Sequence, residues 1–375
     1  MSEYQFYEFQ SVDRPLTTKE QQEIDKWSSR TSPSSTGATF IYNYSDFSKD
    51  PKQVVRKYFD AMFYIANWGT KQLMFRFPKE LIDRETIQAY CTVDEISLYE
   101  YEKCFVLDML FSEEESYHDW VDGEGSLSSL IGLRQDILQG DYRSLYLAWL
   151  HACWFSREWD EFDQNMPEPP ISRPLKPFNG ALKSWVELLE IEQSILTVAS
   201  KTKTRIAKEQ SKDVSTLIPL LAETEKDDFL LRLVNEEALL SVKLRKRLQK
   251  MLKPSGKHTV SGRTIGEIFQ EVEQIEQQLL KATQQKRERA ENKLLKELEA
   301  KEATLWKNVS QHISEKKPKE YDAAIVILKD LLLLAKHRGT QLEYEQRIRG
   351  ILTEYPRLSS LKTKITKAKL LSKIG

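Results

Sequence analysis

The chain has 375 residues, of which 40% are hydrophobic and 30% charged, a composition that excludes wholesale disorder, collagen-like repeats and a disulfide scaffold. At roughly 100 to 200 residues per domain it has room for two or three domains. Its 56 basic and 57 acidic side chains nearly cancel, but residues 1–170 carry 16 basic against 30 acidic groups, and the remainder 40 against 27. Halves of opposite sign attract each other, or the basic half faces an acidic partner such as nucleic acid. A set of solvated, lysine-rich helices gives the same count.

Three cysteines, Cys91, Cys104 and Cys153, are odd in number and lack short metal-ligand spacing, so free thiols in a reducing compartment are expected. The opening Met1-Ser2-Glu3-Tyr4 has neither the basic region nor the apolar run of a signal peptide, and no stretch approaches 18 apolar residues. A cytoplasmic protein without a membrane partner is the expectation.

Residues 4–12 alternate aromatic and polar side chains as a strand does, and Thr17-x-x-Glu20 offers a capping box for a helix reaching Trp27. TFIYNY reads as a second strand. Asp50 as N-cap and Pro51 at the first helical position then open a helix. The spacing of Val55, Tyr58, Phe59, Met62, Ile65 and Ala66 predicts that this helix runs on until Gly69 stops it. Leu73, Phe75 and Phe77 mark a strand ending at Pro78, and after a short helix to Tyr90 the residues 95–111 suit an antiparallel hairpin. Beyond the acidic segment 113–124, Gly140-Asp141 separates two helices. Five of the 13 prolines fall between Pro167 and Pro177, which marks a linker.

From Gly180 onward the pattern is helical. One run extends from near Asp228 to Lys253, and Thr264-x-x-Glu267 then opens a segment that, after Gly266, is free of Gly and Pro until Pro318. Ile265, Ile268, Val272, Ile275 and Leu279 start a coiled-coil seam, but TQQKRER at 283–289 interrupts it before Leu294, Leu298, Leu305 and Val309 resume. A solvated helical bridge fits better than a zipper. Tyr321–Lys336 and a second helix to Tyr355, divided by Gly339, form a hairpin of the kind found in tetratricopeptide-like solenoids. The predicted fold is an α+β N-terminal domain followed by an all-α C-terminal region with a long helix and a terminal helical hairpin. Its predicted segments are an aromatic-rich acidic domain over 1–166, a proline-rich linker over 167–179 and a helical domain with a basic face over 180–257. A long polar helix over 258–316 and the hairpin with a basic tail over 317–375 complete it.

Few motifs carry chemistry. PSGKHT at 254–259 lacks the upstream Gly and the Ser or Thr after Lys257 that a phosphate loop requires; Met251 and His258 stand there, so an exposed turn is the simpler reading. The histidines His118, His151, His258, His312 and His337 include no HExxH pair. His151 and Cys153 are two residues apart in a predicted helix and point about 200° apart, which disfavours a nucleophilic dyad. Glu113, Glu114, Glu115, Asp119, Asp122 and Glu124 are able to hold a hard cation or act as paired carboxylates, but they do not match the EF-hand order and more simply form a solvated loop. No cofactor, metal or catalytic residue is therefore expected. The clearest patch is the helix around KLRKRLQKMLK: at about 100° per residue, Lys243, Lys246, Arg247, Lys250 and Lys253 share an arc of about 120° opposite Leu244, Leu248, Met251 and Leu252. Such a face suits phosphates or an acidic protein surface, or is an ordinary solvated face.

Tyr7-Glu8-Phe9 with Asp13-Arg14-Pro15-Leu16-Thr17, the turn Ala66-Asn67-Trp68-Gly69-Thr70 and the run SLIGLRQDILQGDYRSLYLAWL together resemble an uncharacterised family of bacterial proteins. The segment Lys317-Pro318-Lys319-Glu320-Tyr321-Asp322 and the helix after it are similar to the tail of some bacterial SWIM zinc-finger proteins. The second resemblance implies an association with such proteins and supplies no activity; the paired ligands of the finger itself are missing here. Three functions are expected in order: a non-enzymatic protein-interaction or scaffold protein; a nucleic-acid-binding accessory factor using the basic helix with Lys362, Lys364, Lys367 and Lys369; and an enzyme with a carboxylate site after the N-terminal hairpin.

Overall fold

A computed structural model describes residues 4–29, 31, 33–112, 123–157, 162–201, 217–251 and 262–371, with every side chain among them except that of Gln249. The chain divides into two compact units, Met1–Gln274 and Ile275–Gly375.

The first unit is organised by a six-stranded antiparallel sheet. Its strands are β1 (Gln5–Gln10), β2 (Gly37–Tyr42), β3 (Ala61–Ala66), β4 (Thr70–Pro78), β5 (Ile96–Glu100) and β6 (Cys104–Ser112), in spatial order β2-β1-β3-β4-β6-β5. Between the first strands lies α1 (Thr18–Asp25), opened by the predicted capping box: Thr17 Oγ1 accepts from the Glu20 amide while Glu20 accepts from the Thr17 amide. Asp50 caps α2 (Pro51–Tyr58) through the Lys52 amide at 2.9 Å.

That helix is shorter than its periodicity implied. It ends at Tyr58, and Ala61 to Ala66, expected on the same helix, instead form the central strand β3, buried at every position. A short apolar run buried on both faces has no alternation, so spacing alone does not separate it from a helix. Gly69, at φ 90°, makes the turn from β3 to β4 rather than stopping a helix.

One face of the sheet packs Tyr7, Phe9, Phe40, Met62, Tyr64 and Met74 against α2, Ile24 and Phe47. The opposite face carries Phe111, whose ring meets His151 at 5.0 Å and Trp185 at 6.1 Å. Those two residues come from α6 (Arg143–Ser156) and α7 (Gly180–Leu188), which follow α3 (Arg84–Gln88), α4 (Ser126–Leu130) and α5 (Gly132–Leu138) and precede α8 (Gln193–Ala199).

The proline segment 167–179 falls within the first unit, whose bound lies at Gln274. Proline carbonyls still accept hydrogen bonds, and Arg143 takes those of Leu175 at 3.2 Å and Pro177 at 2.8 Å. Glu168, wholly buried, receives Tyr146 Oη at 2.6 Å and the Arg263 guanidinium at 2.9 and 3.1 Å. The single helix expected from Asp228 to Lys253 is two, α9 (Glu223–Val234) and α10 (Leu240–Met251), parted where Glu236 and Leu239 take φ of 53° and 57°. The long α11 (Ile265–Ser314) spans 50 residues, as expected.

In the second unit the later part of α11 joins α12 (Pro318–Arg338), α13 (Gln341–Glu354) and α14 (Ser359–Lys367) around Trp306, Val309, Ile313, Leu328, Tyr344, Ile348, Leu361 and Ile365. Gly339 caps α12 in the left-handed conformation, φ 73°, next to Lys336, His337 and Arg338, whose charges suit a helix C-terminus. The basic tail is therefore largely helix: Leu361 and Ile365 of α14 are buried, and Lys364 pairs with Asp322.

Candidate functional site

The basic sequence face lies on α10, which pairs with α9 over a small core of Leu217, Leu221 and Leu248, with Leu244 and Met251 against it. Its cations have different fates. Lys243 Nζ donates to Glu237 at 2.7 Å, and the same carboxylate receives Arg232 of α9 at 2.6 and 2.9 Å, so three charges hold the break between the helices. Arg247 pairs with Glu225 of α9. Lys250 is exposed, and Lys253 lies outside the described residues.

Lys246 differs from both groups. It is half-buried, and burial pulls its pKa below the ordinary lysine value; Asp83 and Glu80 oppose that fall, while Lys250 adds to it. It lines a cavity of about 130 Å³ with Arg245 and Ser241 of α10, Arg173 of the proline segment, and Gln135 and Gln139 at the end of α5. Leu138 and Val242 complete the wall. Among the described residues no carboxylate comes within 4 Å of Lys246 or Arg245, and Arg173 reaches Asp141 only at 4.0 Å. The sequence singled out Lys246 but neither arginine. Arg245 falls about 200° from Lys243, off the arc shared by the other cations. Arg173 sits in a segment read as a linker, and no local pattern signals its convergence with α10.

The other chemical candidates stand apart. Residues 113–122 of the acidic segment, His118, and residues 252–261 with Lys257 and His258 lie outside the described residues. Glu124 is described, and its charge, after burial, helps to raise the pKa of Glu8, which accepts the Leu127 amide at 3.1 Å. His151 is packed between Phe111 and Phe155, its ring centre 5.0 and 4.7 Å from theirs. Cys153 is buried, which pushes its thiol far up and keeps it protonated. His312 pairs with Glu320 at 2.6 Å. Among the described residues no three His, Cys, Asp or Glu side chains are grouped to hold a metal ion, and no helix is long and apolar enough to cross a membrane.

The outer side of α9 carries a group of exposed apolar side chains. Leu230, Leu231, Leu233 and Val234 are 60%, 62%, 63% and 79% exposed and, at about 100° per residue, share an arc of about 160°. Glu225, which meets α10, projects from the opposite side of α9. Leu220, in the turn just before α9, is 63% exposed as well. Glu223, Asp227, Asp228 and Glu236 are exposed around these apolar groups, Glu223 paired with Lys226 at 2.7 Å and Asp228 with Arg232 at 3.2 Å.

No family model, curated protein or solved structure matches the chain.

Proposed function

We propose that this chain is an interaction protein whose α9 docks a basic amphipathic helix of a protein partner. The observation that carries the reading is the leucine face of α9, apolar at its centre and rimmed by exposed carboxylates. Single exposed leucines are ordinary, but a contiguous set gathered at the end of one helix costs solvation that a partner would recover. The acidic rim favours a partner of opposite charge and disfavours a second copy of the same face, which would bring carboxylates together. An apolar stripe in a helix and basic flanking residues are the complementary chemistry. The association with SWIM zinc-finger proteins implied by the C-terminal resemblance supplies one candidate partner.

The test uses the full chain and the double substitution L230E/L233E. Both side chains are exposed, so the variant keeps its fold. Partners captured from lysate by the wild type are identified, and the segment of each that binds is mapped with synthetic peptides. A basic amphipathic peptide that binds the wild type, weakens with added salt and fails to bind the variant supports the reading. Captured proteins that bind both forms equally overturn it, as does a wild-type chain that dimerises alone through the same leucines.

A further inference from the structure

The cavity between α5, the proline segment and α10 has no part in that docking reading and has its own chemistry. Among the described residues, every charged group lining it is a cation: Arg173, Arg245 and Lys246. Gln135, Gln139 and Ser241 add neutral side-chain donors. Ser241 and Val242 belong to the first turn of the twelve-residue α10, so the positive end of that helix lies at the cavity as well. A half-buried lysine with no described carboxylate at ion-pair distance is costly unless something else neutralises it.

We propose that this cavity is a binding site for a phosphoryl group borne at the end of a ligand, a phosphate monoester or inorganic phosphate. Three features select that class. Two guanidinium forks and an ammonium match the oxygens of a tetrahedral dianion better than a single carboxylate. Cavities of about 150 Å³ take up a benzene-sized molecule, so about 130 Å³ holds one phosphoryl group but no nucleoside behind it. A phosphodiester backbone needs an open path on both sides of each phosphate, whereas this site is a recess whose wall includes the apolar Leu138 and Val242. The glutamines and Ser241 supply donors that a merely repulsive cluster of cations would not need.

The experiment is calorimetric titration of the full chain with inorganic phosphate and with glycerol 3-phosphate, using chloride of equal ionic strength as the reference. Saturable binding that R173A and R245A each weaken about tenfold or more is expected, the loss of one charge-assisted contact apiece. Both arginines are exposed, so their removal leaves the fold intact; K246M, which keeps the buried stem, is the third variant and should weaken binding similarly. A second arm compares one oligonucleotide with and without a terminal 5′-phosphate. Binding that depends on the terminal phosphate and is competed by inorganic phosphate supports the site and identifies a nucleic-acid end as a source. Binding indifferent to the terminal phosphate overturns the monoester reading in favour of backbone recognition. Absence of phosphate binding, or binding unchanged in R173A and R245A, overturns the proposal outright. None of these outcomes involves the α9 leucines, so L230E/L233E should bind phosphate as the wild type does.

Discussion

Arg134 and Asp13, 121 residues apart, meet in a two-pronged pair with N–O distances of 2.8 and 2.7 Å, and both are almost wholly buried. Arg134 also donates from Nε to the Arg76 carbonyl at 2.9 Å and lies 3.7 Å from Asp60. Asp60 in turn receives the amides of Val12 and Asp13 at 2.7 and 2.8 Å and pairs with Arg76. Burial pushes the Asp60 pKa up, but Arg134 and Arg76 more than offset it and hold it below the ordinary carboxylate range. Asp13 is moved the other way, since burial and the neighbouring Asp60 outweigh Arg134. Two acids and two bases thus tie β4, α5 and the segment after β1 into one unit. Removing one member weakens the rest: R134A should cost about 3–5 kcal/mol of stability, measured by urea denaturation, because it leaves the buried Asp13 with only the more distant Arg76, 4.0 Å away, among these cations. A cost below about 1 kcal/mol would mean that water or rearrangement already compensates these carboxylates.

The capping box of α1 makes a pH-dependent prediction. Arg14 hydrogen-bonds Glu20 at 2.9 and 2.7 Å and, with Thr17, lowers the Glu20 pKa from 4.5 to about 2. A carboxylate whose pKa is depressed on folding stabilises the folded state above its unfolded value and loses that contribution as pH falls through the folded one. E20Q should therefore be less stable than wild type by about 1 kcal/mol near neutrality, a figure reduced for the solvent exposure of the pair. The difference should narrow between pH 4.5 and about 2. Thermal unfolding of both proteins across that range is the measurement, and a difference that stays constant would assign the effect to the neutral cap alone.

Much of this architecture was legible because it rests on local signals. Thr17, Asp50 and Gly339 cap helices where the sequence placed caps, and the aromatic alternation of β1 and β4 survives as sheet faces. What misled was burial that arises from tertiary structure. Met62 and Ile65 keep a helical spacing by accident of an all-apolar strand. Pro167 to Pro177 look like a spacer until Arg143, Tyr146 and Arg263 are seen to hold that segment's carbonyls and Glu168. The candidate pocket was only one-third visible: Lys246 lies in an obvious basic run, while Arg173 is 73 residues away and gains meaning only when α10 packs beside it.

Glu168 shows the same point in energetic terms. It is the one acidic residue of the proline segment, and it binds Arg263 just before the start of α11, while the Glu168 amide donates to the Arg263 carbonyl at 2.9 Å. Burial weakens the hold of Arg263 on its proton, but Glu168 outweighs that effect and raises its pKa. E168A removes a buried acceptor that Tyr146 and Arg263 share and should destabilise the protein by about 3–5 kcal/mol. E168Q keeps the shape and a carbonyl acceptor but not the charge, and should fall between. If calorimetry places E168Q with the wild type, the carboxylate acts only as a neutral acceptor there.

The middle of α11 offers the opposite case, a helix that no core supports. From Gln277 to Leu294 every residue is exposed, including Leu279 at 59% and Leu280 at 70%, before Leu295 and Leu298 become buried. A helix polar or exposed all round depends on its own hydrogen bonds and on side-chain pairs such as Gln284 to Glu288, 3.2 Å apart. Proline removes one backbone donor and clashes with the preceding turn, at a cost of about 3 kcal/mol or more. Q285P should therefore open α11 locally, lowering the helical circular-dichroism signal and creating a trypsin-sensitive site among Lys281, Lys286, Arg287 and Arg289, while Q285A leaves both unchanged. Because no buried side chain is altered, the near-ultraviolet signal of the aromatic cores should persist in Q285P. Loss of that signal along with the helix would show that the continuous helix, rather than local packing, holds one of the cores together.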